Sequence, residues 1–163
     1  MSARTFCVLV SQGCWNGRRT GGRPDQLAAA RQPLSESASV IRVQWCHGAP
    51  GVITTVGDLV PRELATGGGE LIWRAGPLCK GPGLCHGTAG NGFALLKLHN
   101  LTGDSRWMER ARRFAMHAVE QVERERAGLG RGRYTLWTGD IGVALYLQAC
   151  LDARDAFPTI DWF

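Results

Sequence analysis

Lysine is nearly missing from this chain. Lys80 and Lys97 are the only two among 163 residues, so arginine carries almost all of the positive charge. The arginines are spread out, five against two acids in residues 1–40 and eight against five in residues 104–133. A nucleic-acid surface needs a stripe of basic side chains with aromatics on one face. The net charge of +5 without such a stripe excludes that class. Long apolar runs are missing too, and none approaches the roughly 18–20 residues that a membrane helix needs. Phe6–Val10 is too short for a signal-peptide core, so the expected location is cytoplasmic. In that compartment the six cysteines read as thiols rather than as a disulfide framework. No C-x-x-C pair is present, and no alternating apolar run is long enough to force a sheet.

What the chain does have is glycine, 22 of them, and 44% hydrophobic residues, enough for a core. Texture changes near residue 40. Residues 1–40 are rich in Arg, Gly, Ser and Gln and form an atypical, poorly structured segment, with a short strand or helical turn at Phe6–Val10 and a short helix at Gln26–Arg31 as its candidate elements. From residue 41 to 163 apolar stretches alternate with glycine turns. The strongest helix is Ser105–Arg126, with Asp104 as N-cap and Trp107, Ala111, Phe114, Ala118, Val119 and Val122 on one face. Further helices are expected at Val52–Leu64, Gly69–Gly76, Gly92–His99 and Gly142–Arg154. The fold class is all-α.

Three Gly-x-x-Gly turns open apolar helices: Gly48–Gly51, Gly87–Gly90 and Gly139–Gly142. Between them lie helices polar on one side. Apolar helices alternating with amphipathic ones suit a layered α/α arrangement, inner helices covered on most sides and outer ones along a single stripe. The glycines are expected to allow close backbone approach and positive φ.

Two of the turns carry Cys-His-Gly, at Cys46-His47-Gly48 and Cys85-His86-Gly87. Stacked in register, they would bring two thiolates and an imidazole together. That donor set suits zinc and leaves a fourth position open, as in a catalytic site. Adjacent helix N-termini would favour the thiolates. Buried free cysteines are the plainer alternative, and the one adopted for Cys7, Cys14 and Cys150. Cys79 is read as outside the metal group, and His117, beside Arg113 on the polar face, as an exposed histidine.

Trp45-Cys46-His47-Gly48-Ala-Pro-Gly51, Lys80-Gly-Pro-Gly-Leu-Cys85-His86-Gly87, His99-Asn-Leu-Thr-Gly103 and Leu136-Trp-Thr-Gly-Asp-Ile-Gly142 together resemble the lanthionine synthetase C-like (LanC-like) family, from about Arg42 to Phe163. His47, where dedicated cyclases commonly have Tyr, is closer to the eukaryotic-type, stand-alone members. The resemblance implies an α/α toroid of about seven helical hairpins with zinc at one end of its cavity. It implies Cys46, Cys85 and His86 as zinc ligands, Arg42 as an active-site arginine and Lys80 as a contact to glutathione. The implied chemistry is addition of a glutathione or peptide thiol to dehydroalanine or dehydrobutyrine in a dehydrated peptide, forming a thioether. The acid-base histidine of the cyclases comes from an earlier repeat, and no His precedes His47 here. The expectation is therefore a truncated, C-terminal part of the toroid, with His47 as substitute proton donor. The alternative is a non-catalytic zinc- and glutathione-binding module.

Overall fold

A computed structural model describes residues 42–160. The elements expected at Phe6–Val10 and Gln26–Arg31, and the assignment of residues 1–40 as poorly structured, lie outside the described residues. Among those described, the fold is all-helical: α1 (Ala49–Val56), α2 (Arg62–Ala75), α3 (Thr88–Thr102), α4 (Ser105–Leu129) and α5 (Asp140–Asp152).

Two boundaries depart from expectation for identifiable reasons. The helix expected at Val52–Leu64 stops at Val56, and α2 begins at Arg62 with Pro61 as its N-cap residue, φ −52° and ψ 135°. Proline has no N–H to donate and disfavours helical backbone in the residue before it, so the chain breaks there. The helix expected at Gly69–Gly76 starts earlier and runs straight through Gly67-Gly68-Gly69. Gly69 is buried where Leu98 of α3 and Trp107 of α4 press on the helix, and a methyl there would collide with both. Close packing outweighs the poor helix propensity of glycine, about 1 kcal/mol per residue relative to alanine.

The helices form two layers. α3 packs against α1 and α5 within its own layer, and α2 and α4 cover that row from one side. Composition explains the division. α4 has an apolar stripe (Trp107, Met108, Ala111, Phe114, Ala115, Ala118) and a charged back, whereas α3 is buried continuously from Thr88 to Leu96. The Asp104 carboxylate caps α4 by accepting from the Arg106 N–H at 2.9 Å. Across the layers, the Tyr146 hydroxyl donates to the Ala111 carbonyl (2.6 Å), and Thr88 donates to Gln121, whose amide donates to the Leu78 carbonyl (2.5 and 2.7 Å).

All three Gly-x-x-Gly turns sit at one end of the inner row, at the N-termini of α1, α3 and α5. The second glycine of each, Gly51, Gly90 and Gly142, has no room for a methyl. It lies against the carbonyl oxygen six residues earlier, of Trp45, Leu84 and Leu136 respectively. Close approach is thus common to the three, while a left-handed φ occurs at Gly48 alone of the six turn glycines (φ 133°).

Candidate metal centre

Backbone hydrogen bonds hold the three loops side by side in register. The Cys46 N–H donates to the Cys85 carbonyl at 3.1 Å, and the Cys85 N–H donates to the Trp137 carbonyl at 2.9 Å. Cys46, Cys85 and Trp137 are therefore equivalent rungs of one ladder. Asn91, buried at the start of α3, adds a tie by donating its amide to the Val43 carbonyl at 3.0 Å.

On the first two rungs the side chains converge. Cys46, Cys85 and His86 each offer one donor atom, all within 4.8 Å of one another, and no other such group occurs among the described residues. Cys46 is exposed and the other two are half-buried. Partial burial pushes the Cys85 thiol above its ordinary pKa, the neighbouring Cys46 pushes it further, and the Lys80 charge opposes both. The helix N-terminus does not dominate here. The first N–H groups of α3, from Thr88, Ala89 and Gly90, are already taken by the carbonyls of Gly81, Pro82 and Gly83.

Two soft sulfur donors and an imidazole are a zinc-type set, and tetrahedral bonds of ~2.1–2.3 Å place such donors about 3.5–4 Å apart. The observed spacing, within 4.8 Å, needs only small side-chain movement to reach that, and a cation between the sulfurs would offset the burial and the Cys46 neighbour that oppose charging Cys85. The residues fit zinc.

Of the remaining sequence candidates, His47 is exposed and holds its Nδ1 3.3 Å from the Cys46 sulfur, with the Gln44 amide 3.5 Å away on the same nitrogen. Lys80 lines a small cleft with His86, Arg133, Trp137 and Thr138. Arg42 is exposed and forms no ion pair with the described residues; its carbonyl seats against Gly48. Cys150 is a buried free thiol as expected. Cys79 is disulfide-bonded. That corrects the reading of all six as thiols, and it removes Cys79 as a donor. Sequence reasoning passed over Trp137 and Arg133, although aligning Leu-Trp-Thr-Gly with Leu-Cys-His-Gly puts Trp137 at the ligand position of the third repeat.

The family model described as lanthionine synthetase C-like protein matches residues 13–162. The chain belongs to the lanthionine synthetase C-like family. This match starts well upstream of Arg42, where the motifs begin. Among curated relatives, this LanC-like chain is 35% identical over 137 residues to the glutathione S-transferase LANCL1 of Danio rerio, covering 79% of the chain and 34% of that protein. It is 43% identical over 92 residues to the LanC-like protein GCL1 of Arabidopsis thaliana, covering 49% of the chain and 21% of that protein. The LanC-like chain thus spans about a third or less of these relatives' length. The two-layer helical arrangement is consistent with part of the family's α/α toroid.

Proposed function

We propose that this chain carries the thiol-activating centre of a LanC-like protein, with Cys46, Cys85 and His86 holding a zinc ion. The convergence of those three donor atoms within 4.8 Å carries the proposal. Zinc bound there would supply a Lewis acid that makes a thiol acidic enough to be a thiolate near neutral pH.

The reaction is addition of that thiol to dehydroalanine or dehydrobutyrine in a dehydrated peptide. A new carbon–sulfur bond forms at the β-carbon, the alkene pair moves toward the carbonyl, and the α-carbon then takes a proton, leaving a thioether. The name of the Danio rerio relative, a glutathione S-transferase, favours glutathione as the thiol. Lys80, which shares a small cleft with His86, would pair with a carboxylate of glutathione or peptide. Arg42, exposed next to the Cys46 loop, is the second candidate for that task. His47, with its ring nitrogen against the Cys46 sulfur at the rim of the site, is the candidate proton carrier for the α-carbon.

A second reading is a zinc- and glutathione-binding module without catalysis. Two measurements decide. Metal analysis should find about one zinc per chain, lost in Cys85→Ala; a metal-free chain would defeat both readings. Incubation with glutathione and a dehydroalanine peptide should give the adduct by mass spectrometry, with Lys80→Ala slowing it. Bound zinc without adduct would leave the binding module.

A further inference from the structure

We propose that the segment after α5, residues 153–160, is a strap that positions the Cys46 loop, and that Phe157 is the positioning residue through which it acts. The inference deepens the zinc reading and rests on it.

The strap begins where Ala153, in left-handed conformation (φ 54°), turns the chain back from α5. It is then pinned to the C-terminal half of α3. The Asn100 amide donates to the Ala153 carbonyl at 3.3 Å and to the Asp155 carboxylate at 2.8 Å. Lys97 lies 3.4 Å from Asp155 and 2.5 Å from Asp58, in the corner between α1 and α2. From that anchorage the chain runs back along the inner row toward the metal end.

There Phe157 is fully buried. Its ring stands edge-on to Phe93 of α3 (5.0 Å, 65°) and lies flat on Trp45 (4.6 Å, 2°). Trp45 immediately precedes Cys46. Its indole N–H is held by the Thr54 hydroxyl of α1 at 2.8 Å, and Trp137 flanks it at 5.5 Å. Cys46 itself is exposed, and its backbone is tied to the second loop by one hydrogen bond, to Cys85. The Gln44–His47 backbone pair and the Asn91 bond to Val43 shape the loop on either side of Cys46. Among side-chain packing contacts, Cys46 is positioned by the seating of the neighbouring tryptophan, whose stacked ring partner comes from the strap. Loss of the Phe157 ring would leave Trp45 free to tilt and let the Cys46 sulfur drift from Cys85 and His86. Groups that orient metal ligands in this way typically contribute 10–100-fold to metal affinity.

The test compares Phe157→Leu with Phe114→Leu in the full chain. Phe114 is equally buried but packs in α4 against Trp73 at 6.2 Å, away from the three loops. Zinc affinity is read by competition with a chromophoric chelator, and ligand geometry by the absorption spectrum of the cobalt-substituted chain. Phe157→Leu should weaken zinc about tenfold or more and alter the cobalt spectrum. Phe114→Leu should lower stability and leave both unchanged. Asp155→Ala, which unpins the strap without opening the core, should weaken zinc in the same direction by a smaller factor. Equal zinc affinity in Phe157→Leu and the unmutated chain, or equal weakening in both Leu variants, would overturn the proposal. A metal-independent readout separates it from the zinc reading: amide exchange at Cys46 should speed up in Phe157→Leu and not in Phe114→Leu. Faster exchange with no zinc bound to any chain would sink the metal reading and keep the strap.

Discussion

An alanine methyl at Gly90 would land on the Leu84 carbonyl oxygen, whereas one at Gly67, exposed on α2, would meet nothing within 4 Å. The same substitution should therefore have opposite effects at the two positions. Gly90→Ala forces backbone apart at the base of the inner row and should destabilise the chain by about 1–3 kcal/mol or more. Gly67→Ala should stabilise by about 0.5–1 kcal/mol, since it removes only unfolded-chain freedom from a helix interior. Urea unfolding of the two variants reads both signs, and a loss of stability in each would show that space is not what distinguishes them. The importance of the turn glycines was legible from their repetition in the sequence. Their physical reason was only half legible, because close approach depends on which carbonyl the turn folds back onto, and sequence spacing does not name it. Gly67–Gly69 shows the reverse failure. Three glycines look like a break unless the neighbours pressing on Gly69, Leu98 and Trp107, are known.

At the scale of one element, α4 was the most legible, because a long amphipathic stripe and an aspartate cap specify a helix almost unaided. Its histidine was not. Arg113, one turn before His117, is exposed, but the His117 side chain is only 14% exposed and its Nε2 has no hydrogen-bond partner among the described residues. The side chain falls at the edge of the apolar stripe beside Ala118, and it lines a surface cleft with His99, Met108, Met116 and Glu120. Periodicity places a residue on a helix, and the neighbouring residues decide how far an edge position is covered. Burial pushes the His117 pKa below its ordinary value, Arg124 pushes it the same way, and Glu120 at 3.9 Å opposes them. The unfolded chain therefore holds this proton more readily than the folded one. Stability from this site is full above the unfolded pKa of ~6.5 and falls as pH drops through the lower folded value, at no more than about 1.4 kcal/mol per pH unit. Unfolding free energies from pH 7 down to 5 should decline, and His117→Leu should decline less steeply. Parallel curves for the two proteins would show that His117 charges freely in the fold.

For the whole molecule, the three-part repeat announced a layered helical fold and the register that brings Cys46, Cys85 and His86 together, because glycine turns and Cys-His pairs recur at matched positions. What the repeat concealed is that its three inner helices are not equally enclosed. α3 and α5 are both apolar around their circumference, a pattern that reads as burial for each. Among the described residues, only α3 has inner-row neighbours on two sides, α1 and α5. α5 has one, and Ile141, Leu145 and Leu151 are 45%, 42% and 78% exposed; on α1, Val52 is 48% exposed. The uncovered side of α5 should behave as surface even though its composition is that of a core. Leu145→Gln with Leu151→Gln should change stability by less than about 0.5 kcal/mol each while lowering hydrophobic-dye binding and aggregation. Leu95→Ala, at the fully buried centre of α3, should cost about 2–5 kcal/mol. Chemical unfolding and dye fluorescence on the three variants distinguish the faces. If the glutamine variants lost as much stability as Leu95→Ala, something in the folded chain would have to cover α5, and the inner row would be enclosed at that end after all.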